Sequence, residues 1–187
     1  MRYRTAVPSL PRLARLLALC LAVVAWGCSA RGASPQQVFD RAKACSIAAD
    51  WAGLYECIAP AKRDAAIGGL IYLAMFVRMG GDAAETEYKQ LMVSHGLDPN
   101  PPQLDAAAQP GAQLAQWLAP AKDRAKLYAD LMTYTQKAPR ARPLIDPTAT
   151  LSDVRVTGDA AIARQVTPGG KKRTLHFVKL DDTWFLE

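Results

Sequence analysis

An α+β fold, with N-terminal helices packed on a C-terminal antiparallel β-meander, is what this sequence predicts. Three observations carry that expectation. Apolar residues recur at helical spacing in segments between Ser34 and Lys137. The last 37 residues break into short strand-like runs parted by Gly158-Asp159, Pro168-Gly169-Gly170 and Asp181-Asp182. The two kinds of segment do not alternate, which excludes a βαβ plan. Short turns between consecutive strands require antiparallel pairing, since a parallel crossover needs about a dozen residues or more.

Taken in order, Ser34-Pro35-Gln36-Gln37 reads as a helix start. Ser34 is the N-cap, Pro35 the first helical residue, and Gln37 stands three after the cap. Val38, Ala42, Cys45 and Ala49 share one face of a helix that runs to about Ala49. Asp50 can cap a short second helix through Trp51, Leu54 and Tyr55, ending near Ile58. Pro60 opens a third, which Gly80-Gly81 should stop. Within it, Ala65 to Val77 carries no charge and predicts a buried central helix, apolar all round. Gly68-Gly69 would weaken it by roughly 1 kcal/mol each, so close packing against a neighbour is expected there.

Asp82-Ala83-Ala84-Glu85 is a further capping signal, leading a helix through Tyr88, Leu91 and Met92 to Gly96. Pro99, Pro101, Pro102 and Pro110 mark a loop from Asp98 to Gly111. Another helical stretch runs from Gln113 past Pro120 to Lys137, with Leu127, Leu131 and Tyr134 on one face. Pro139, Pro143 and Pro147 end it. The strand candidates are Leu151 to Val156, Ala160 to Val166, Arg173 to Leu180 and Thr183 to Leu186.

A length of 187 residues, 50% of them hydrophobic and 21% charged, fits one domain with appendages. Thirteen Pro and twelve Gly exclude collagen-like and broadly disordered chains. The net charge of +6 invites a nucleic-acid reading, but its distribution opposes one. Setting aside Arg2, Arg4, Arg12 and Arg15 leaves 19 Lys and Arg against 17 Asp and Glu. No nucleic-acid partner is expected.

Those four arginines precede an apolar run from Leu16 to Trp26 that spans about 16 Å as a helix. The hydrocarbon core of a bilayer is about 30 Å thick, so the run reads as the apolar part of a signal peptide over residues 1–27. Ala25-Trp26-Gly27-Cys28-Ser29 resembles the bacterial lipoprotein signal, in which the cysteine is lipidated and becomes the first residue. Ordinary cleavage after Ala30 or Ala33 is the alternative. By the same resemblance, Ser29 after the cysteine favours the periplasmic face of the outer membrane. The expected organisation is leader 1–27, a short tether 28–34, and one domain over 35–187. The domain divides into a helical part, 35–138, and a meander, 151–186.

The cysteines then sort themselves. Cys20 leaves with the leader, Cys28 is the lipidation candidate, and Cys45 and Cys57 remain. Export favours pairing of cysteines held close. A disulfide between Cys45 and Cys57 is expected, with two small buried thiols as the alternative. In one continuous helix they would stand about 18 Å apart, so the bridge requires the chain to reverse between them, near Asp50 and Gly53.

Ser34-Pro35-Gln36-Gln37-Val38-Phe39, Asp50-Trp51 and Ala59-Pro60-Ala61-Lys62-Arg63 resemble the start of nuclear-transport-factor-2-like domains. The stretches Val156 to Ala163 and Leu175 to Leu186, with Trp184 near the last strand, are similar to that family's final hairpins. The resemblance implies a small exported bacterial lipoprotein with a curved sheet wrapping helices into a cone around a cavity. That fold serves enzymes and binding modules alike.

Chemistry-bearing motifs are sparse. The spacing of His, Cys, Asp and Glu matches no zinc site, and the sequence contains no P-loop, dinucleotide fingerprint or Gly-x-Ser-x-Gly elbow. No metal, cofactor or catalytic residue is expected. His95 precedes Gly96 at a helix end, where a cation suits the helix dipole. His176 alternates with Leu175 and Phe177 and should face away from them. Lys171-Lys172-Arg173 and the loop bearing Arg140 and Arg142 read as solvated basic turns. Trp51, Trp117 and Trp184 read as core, and Tyr55, Tyr72, Tyr88 and Tyr128 as possible cavity lining. The expectation is a lipid-anchored, non-catalytic binding module for a protein partner or a small apolar ligand. The alternatives are a cone-fold enzyme working by acid–base residues and an assembly subunit.

Overall fold

Ser34 begins the first helix as its N-cap, its hydroxyl oxygen accepting the Gln37 N–H at 3.3 Å. Gln37 in turn reaches back to accept the Ala33 N–H at 2.8 Å. The computed structural model of the chain describes residues 32–100, 110–137 and 145–187. The expected leader over residues 1–27, Cys28, Arg140 and Arg142 lie outside the described residues. So do residues 28–31 of the expected tether and Pro101, Pro102, Pro139 and Pro143.

Six helices precede four strands among the described residues, which is the α+β order expected. The helices are α1 (Pro35–Ala48), α2 (Trp51–Glu56), α3 (Arg63–Arg78), α4 (Asp82–Ser94), α5 (Pro110–Leu118) and α6 (Arg124–Thr135). A single 3-10 turn, Pro60–Lys62, leads into α3. Asp50 caps α2, accepting the Gly53 N–H at 2.9 Å, and Ala49 takes the left-handed conformation that lets α1 end there.

Two expectations need correction. The stretch from Gln113 to Lys137 is two helices, because Pro120 lacks the N–H that a continuous ladder needs. Asp123 then starts α6 afresh by accepting the Lys126 N–H at 2.8 Å. At α4 the cap is Gly81, at φ 129°, and no side chain bonds the helix end. Asp82 and Glu85 lie inside the first turn, where their charges suit the helix dipole, and Glu85 pairs with Lys89 at 2.9 Å.

The helical layer is organised around α6, which packs on α2, α3 and α4 and buries Leu127, Tyr128, Leu131 and Tyr134. Helix α5 lies on α3, and the close approach expected at Gly68 is its point of contact. A Cβ there would stand 2.6 Å from the Leu114 side chain.

The strands β1 (Thr150–Thr157), β2 (Ala160–Val166), β3 (Lys172–Leu180) and β4 (Thr183–Leu186) form one antiparallel sheet in the order β1-β2-β3-β4. Register places Ala163 opposite Leu175, Ala161 opposite Phe177, and Phe177 opposite Leu186. These side chains share the buried face with Trp184, and α1 lies against β4 and β1. A bulge between Ser152 and Arg155 interrupts β1, with Asp153 at φ 53°. Asp181 and Asp182, at φ 46° and 61°, make the tight β3–β4 turn, and Asp182 pairs with Lys179 at 2.7 Å.

The outer edge of β4 is not free. Trp184 donates its N–H to Gly32 at 2.8 Å, Leu186 to Cys57 at 2.8 Å, and Ala59 donates to the Leu186 carbonyl at 2.7 Å. Sheet and helices are thus joined by main chain as well as by packing.

Ala49 carries the left-handed cap without the freedom of glycine, at a cost of roughly 1–2 kcal/mol. Ala49→Gly is therefore expected to raise stability by about 1 kcal/mol, read as a higher urea midpoint at unchanged slope.

Candidate functional site

Helix α3 was expected to be buried all round, and the structure corrects this. Ile67, Ile71 and Ala74 form its buried face. The opposite face carries Tyr72 at 65% exposure, Met75 at 39%, Phe76 at 55% and Met79, just past the helix end, at 80%. With Ala65 and Gly69, also exposed, these residues make a stripe roughly 20 Å long. The Tyr72 and Phe76 rings meet edge to face, centroids 5.1 Å apart, so the stripe has an ordered aromatic centre.

The charges that bound this face turn away from it. Arg63 pairs with Glu56 at 3.0 Å and lies over the Tyr55 ring, while Asp64 pairs with Arg124. At the other end Arg78 lies over the Tyr88 ring, 5.4 Å from its centroid, and reaches Glu85 at 4.0 Å. An uncharged apolar stripe is left facing solvent. Single exposed apolar residues are ordinary on a folded protein, but a contiguous apolar patch is often functional, which makes this stripe the candidate contact surface. Gly69 adds to this reading. Nothing stands within 4 Å of where its Cβ would be, so no contact in the described fold requires glycine there. Its bare backbone faces outward, open to close approach.

The other candidates separate. Tyr55, Tyr88 and Tyr128 are buried, and only Tyr72 of the four is exposed. The Tyr55 and Tyr128 rings pack 5.3 Å apart, and burial pushes the Tyr128 hydroxyl up to about 12. These rings are core rather than cavity lining. Trp51 and Trp184 are buried as expected, and Trp117 is partly so. His176 is exposed while Leu175 and Phe177 are buried, as strand alternation requires. Lys171, Lys172 and Arg173 are exposed in the β2–β3 hairpin.

His95 does more than sit at a helix end. Its Nε2 lies 2.9 Å from the Asp130 carboxylate on α6, which Lys126 also reaches at 2.6 Å. Burial pushes the Asp130 carboxyl up, but the hydrogen bonds from Lys126 and His95 outweigh it and hold it below the usual carboxylate range. The contact pins the end of α4 to α6 across 35 residues of chain, a pairing that no local pattern announces. Asp130 borders an open depression of about 410 Å³ lined also by Glu87, Gln90 and Thr133. Among the described residues no group of three or more His, Cys, Asp and Glu could hold a metal ion.

Cys45 and Cys57 are brought together. The reversal at Ala49 and Asp50 sets the last turn of α1 beside the end of α2, and both buried thiols lie against Gly53. The Cys57 thiol donates to its carbonyl at 3.4 Å, and the Cys45 sulfur is 2.9 Å from where its Cβ would stand. They are unbonded in the structure. Burial, first of all, raises both; Asp50 also raises Cys45, and the Cys57 thiol is pushed up to about 12.

The two faces of α3 should respond differently to substitution. Tyr72→Ser with Phe76→Ser is expected to cost about 1 kcal/mol or less, mainly the ring pair and helix propensity. Ile71→Asp, placing a charge among buried aliphatics, should cost about 3 kcal/mol or more. Urea unfolding of the two variants checks this. Comparison with family models, curated proteins and solved structures finds no match to this chain.

Proposed function

We propose that the chain is an exported envelope protein, held through lipid on Cys28 at the periplasmic face of the outer membrane, that acts as a non-catalytic binding module. Its contact surface is the outer face of α3, and its partner is a protein. The observation that carries this is the uncharged stripe of Tyr72, Met75, Phe76 and Met79 exposed on a helix whose other face is core. Aromatic side chains and Met are the residues enriched where proteins meet. A small apolar ligand needs a concavity that encloses most of its surface, whereas a convex helical ridge fits a groove on another protein.

The anchoring part rests on the sequence: the basic start, the short apolar run and Gly27-Cys28-Ser29. Gly32 already holds β4, so an anchor at Cys28 would keep the domain within roughly 14 Å of the bilayer. The α+β order and the meander ending at Trp184 and Leu186 agree with a nuclear-transport-factor-2-like plan.

The test places a photo-activatable residue at position 76 in the full chain made in bacterial cells, with the same residue at 176 as control. A discrete protein cross-link at 76, absent at 176 and abolished by Tyr72→Ser with Met79→Ser, is expected. Cross-linking to lipid would turn the reading into a membrane-surface one, and no cross-link at 76 would end it. Cys28→Ser should leave an unprocessed or soluble form. A mature chain beginning after Ala30 or Ala33, without acyl mass, would overturn the anchor alone.

A further inference from the structure

We infer that Cys45 and Cys57 form an intramolecular disulfide that staples the end of α1 to the end of α2. The inference rests on the proposed export for its oxidising compartment and on geometry for its partners. The chain turns at Ala49, whose left-handed backbone lets the Asp50 N–H bond the Cys45 carbonyl at 2.9 Å. Helix α2 then runs back so that its C-cap, Cys57, and Cys45 both reach Gly53.

Gly53 makes room for the pair. A Cβ at that position would stand 2.9 Å from the Cys45 sulfur and 2.2 Å from Asp50 Oδ2. The Cys57 thiol donates to the Gly53 carbonyl at 3.4 Å, so both sulfurs crowd the same glycine. Asp50 has two roles here: one carboxylate oxygen caps α2, and the other accepts from the Cys45 thiol at 3.8 Å. Sequence-distant cysteines would meet only through the tertiary fold, but these meet through one local helix–turn–helix unit.

The bond forms by exchange with an external disulfide, such as an oxidised dithiol protein or oxidised glutathione. Cys45 loses its proton and its thiolate attacks one sulfur, giving a mixed disulfide and expelling one thiolate. The Cys57 thiolate then attacks the Cys45 sulfur, closes the bridge and expels the second. The two expelled thiolates take up the two protons, so two protein thiols are oxidised and one external disulfide is reduced. Burial disfavours the thiolate at both positions, so exchange is slow in the folded dithiol form and fast while the chain is still folding. Once closed, the bridge is shielded from reductant by the same burial.

Protein purified from whole bacterial cells, its free thiols alkylated under denaturing conditions at lysis, gives the first readout. Trypsin releases residues 44–62 as one peptide holding both cysteines, which separates them from Cys20 and Cys28. That peptide should be unalkylated and lighter than the dithiol by two hydrogen atoms, and cleavage after Glu56 should leave its halves joined. In the second arm the same protein is unfolded, reduced and refolded in a glutathione redox buffer. It should re-form the bridge and melt roughly 6–12 °C above Cys45→Ala with Cys57→Ala. Failure to bridge in the redox buffer overturns the disulfide whatever the compartment. Bridging there, with both thiols alkylated in the cell-derived sample, upholds the geometry and overturns export.

Discussion

Strand β4 is hydrogen-bonded on both of its edges, to β3 on one side and to the main chain at Gly32, Cys57 and Ala59 on the other. A terminal strand of four residues would be a weak element in isolation. Here its three outer hydrogen bonds come from the approach to α1 and from the segment joining α2 to α3. Trp184 and Leu186 bury their side chains on the α1 side of the sheet, and Lys62 pairs with Glu187 at 3.1 Å just beyond. A sheet edge left open is a template for unwanted pairing, and this one is closed by main chain at Gly32, Cys57 and Ala59. The rest of the meander depends on that closure, because β3 pairs with β4 and β2 with β3.

On the helical side, the apolar density of α3 serves two ends. Ile67, Ile71 and Ala74 supply core against α6 and α5, while Tyr72, Phe76 and Met79 leave an apolar surface uncovered. Exposing aromatic rings to water forgoes roughly 1.5–3 kcal/mol per large side chain that burial would return. Among the described residues nothing offsets this. A partner groove would, and the charged residues at both helix ends, drawn back onto Glu56, Arg124 and Glu85, leave that approach clear.

Much of this was legible in the sequence because it is governed by local rules. Ser34, Asp50 and the glycine and aspartate turns announce helix starts and hairpins through backbone chemistry alone, and the four strands fall within one residue of their expected bounds. The reversal that brings Cys45 to Cys57 was readable for the same reason. Periodicity failed where both faces of a helix are apolar. The pattern of α3 cannot distinguish core from contact surface, although Tyr, Phe and Met on one side against Ile and Ala on the other was a usable hint. It also failed for pairings set by tertiary geometry, such as His95 with Asp130 and β4 with Gly32. Pro120 did carry the break between α5 and α6, since a residue without an N–H cannot continue the helical ladder.

Native-state hydrogen exchange of individual amides tests most directly whether β4 joins sheet and helices into one cooperative unit. The Trp184, Leu186 and Ala59 amides should exchange only through global unfolding, with the same opening free energy as the Leu131 amide inside α6. Exchange of those three through a cheaper opening, with α6 still protected, would show that sheet and helices unfold separately and contradict the account.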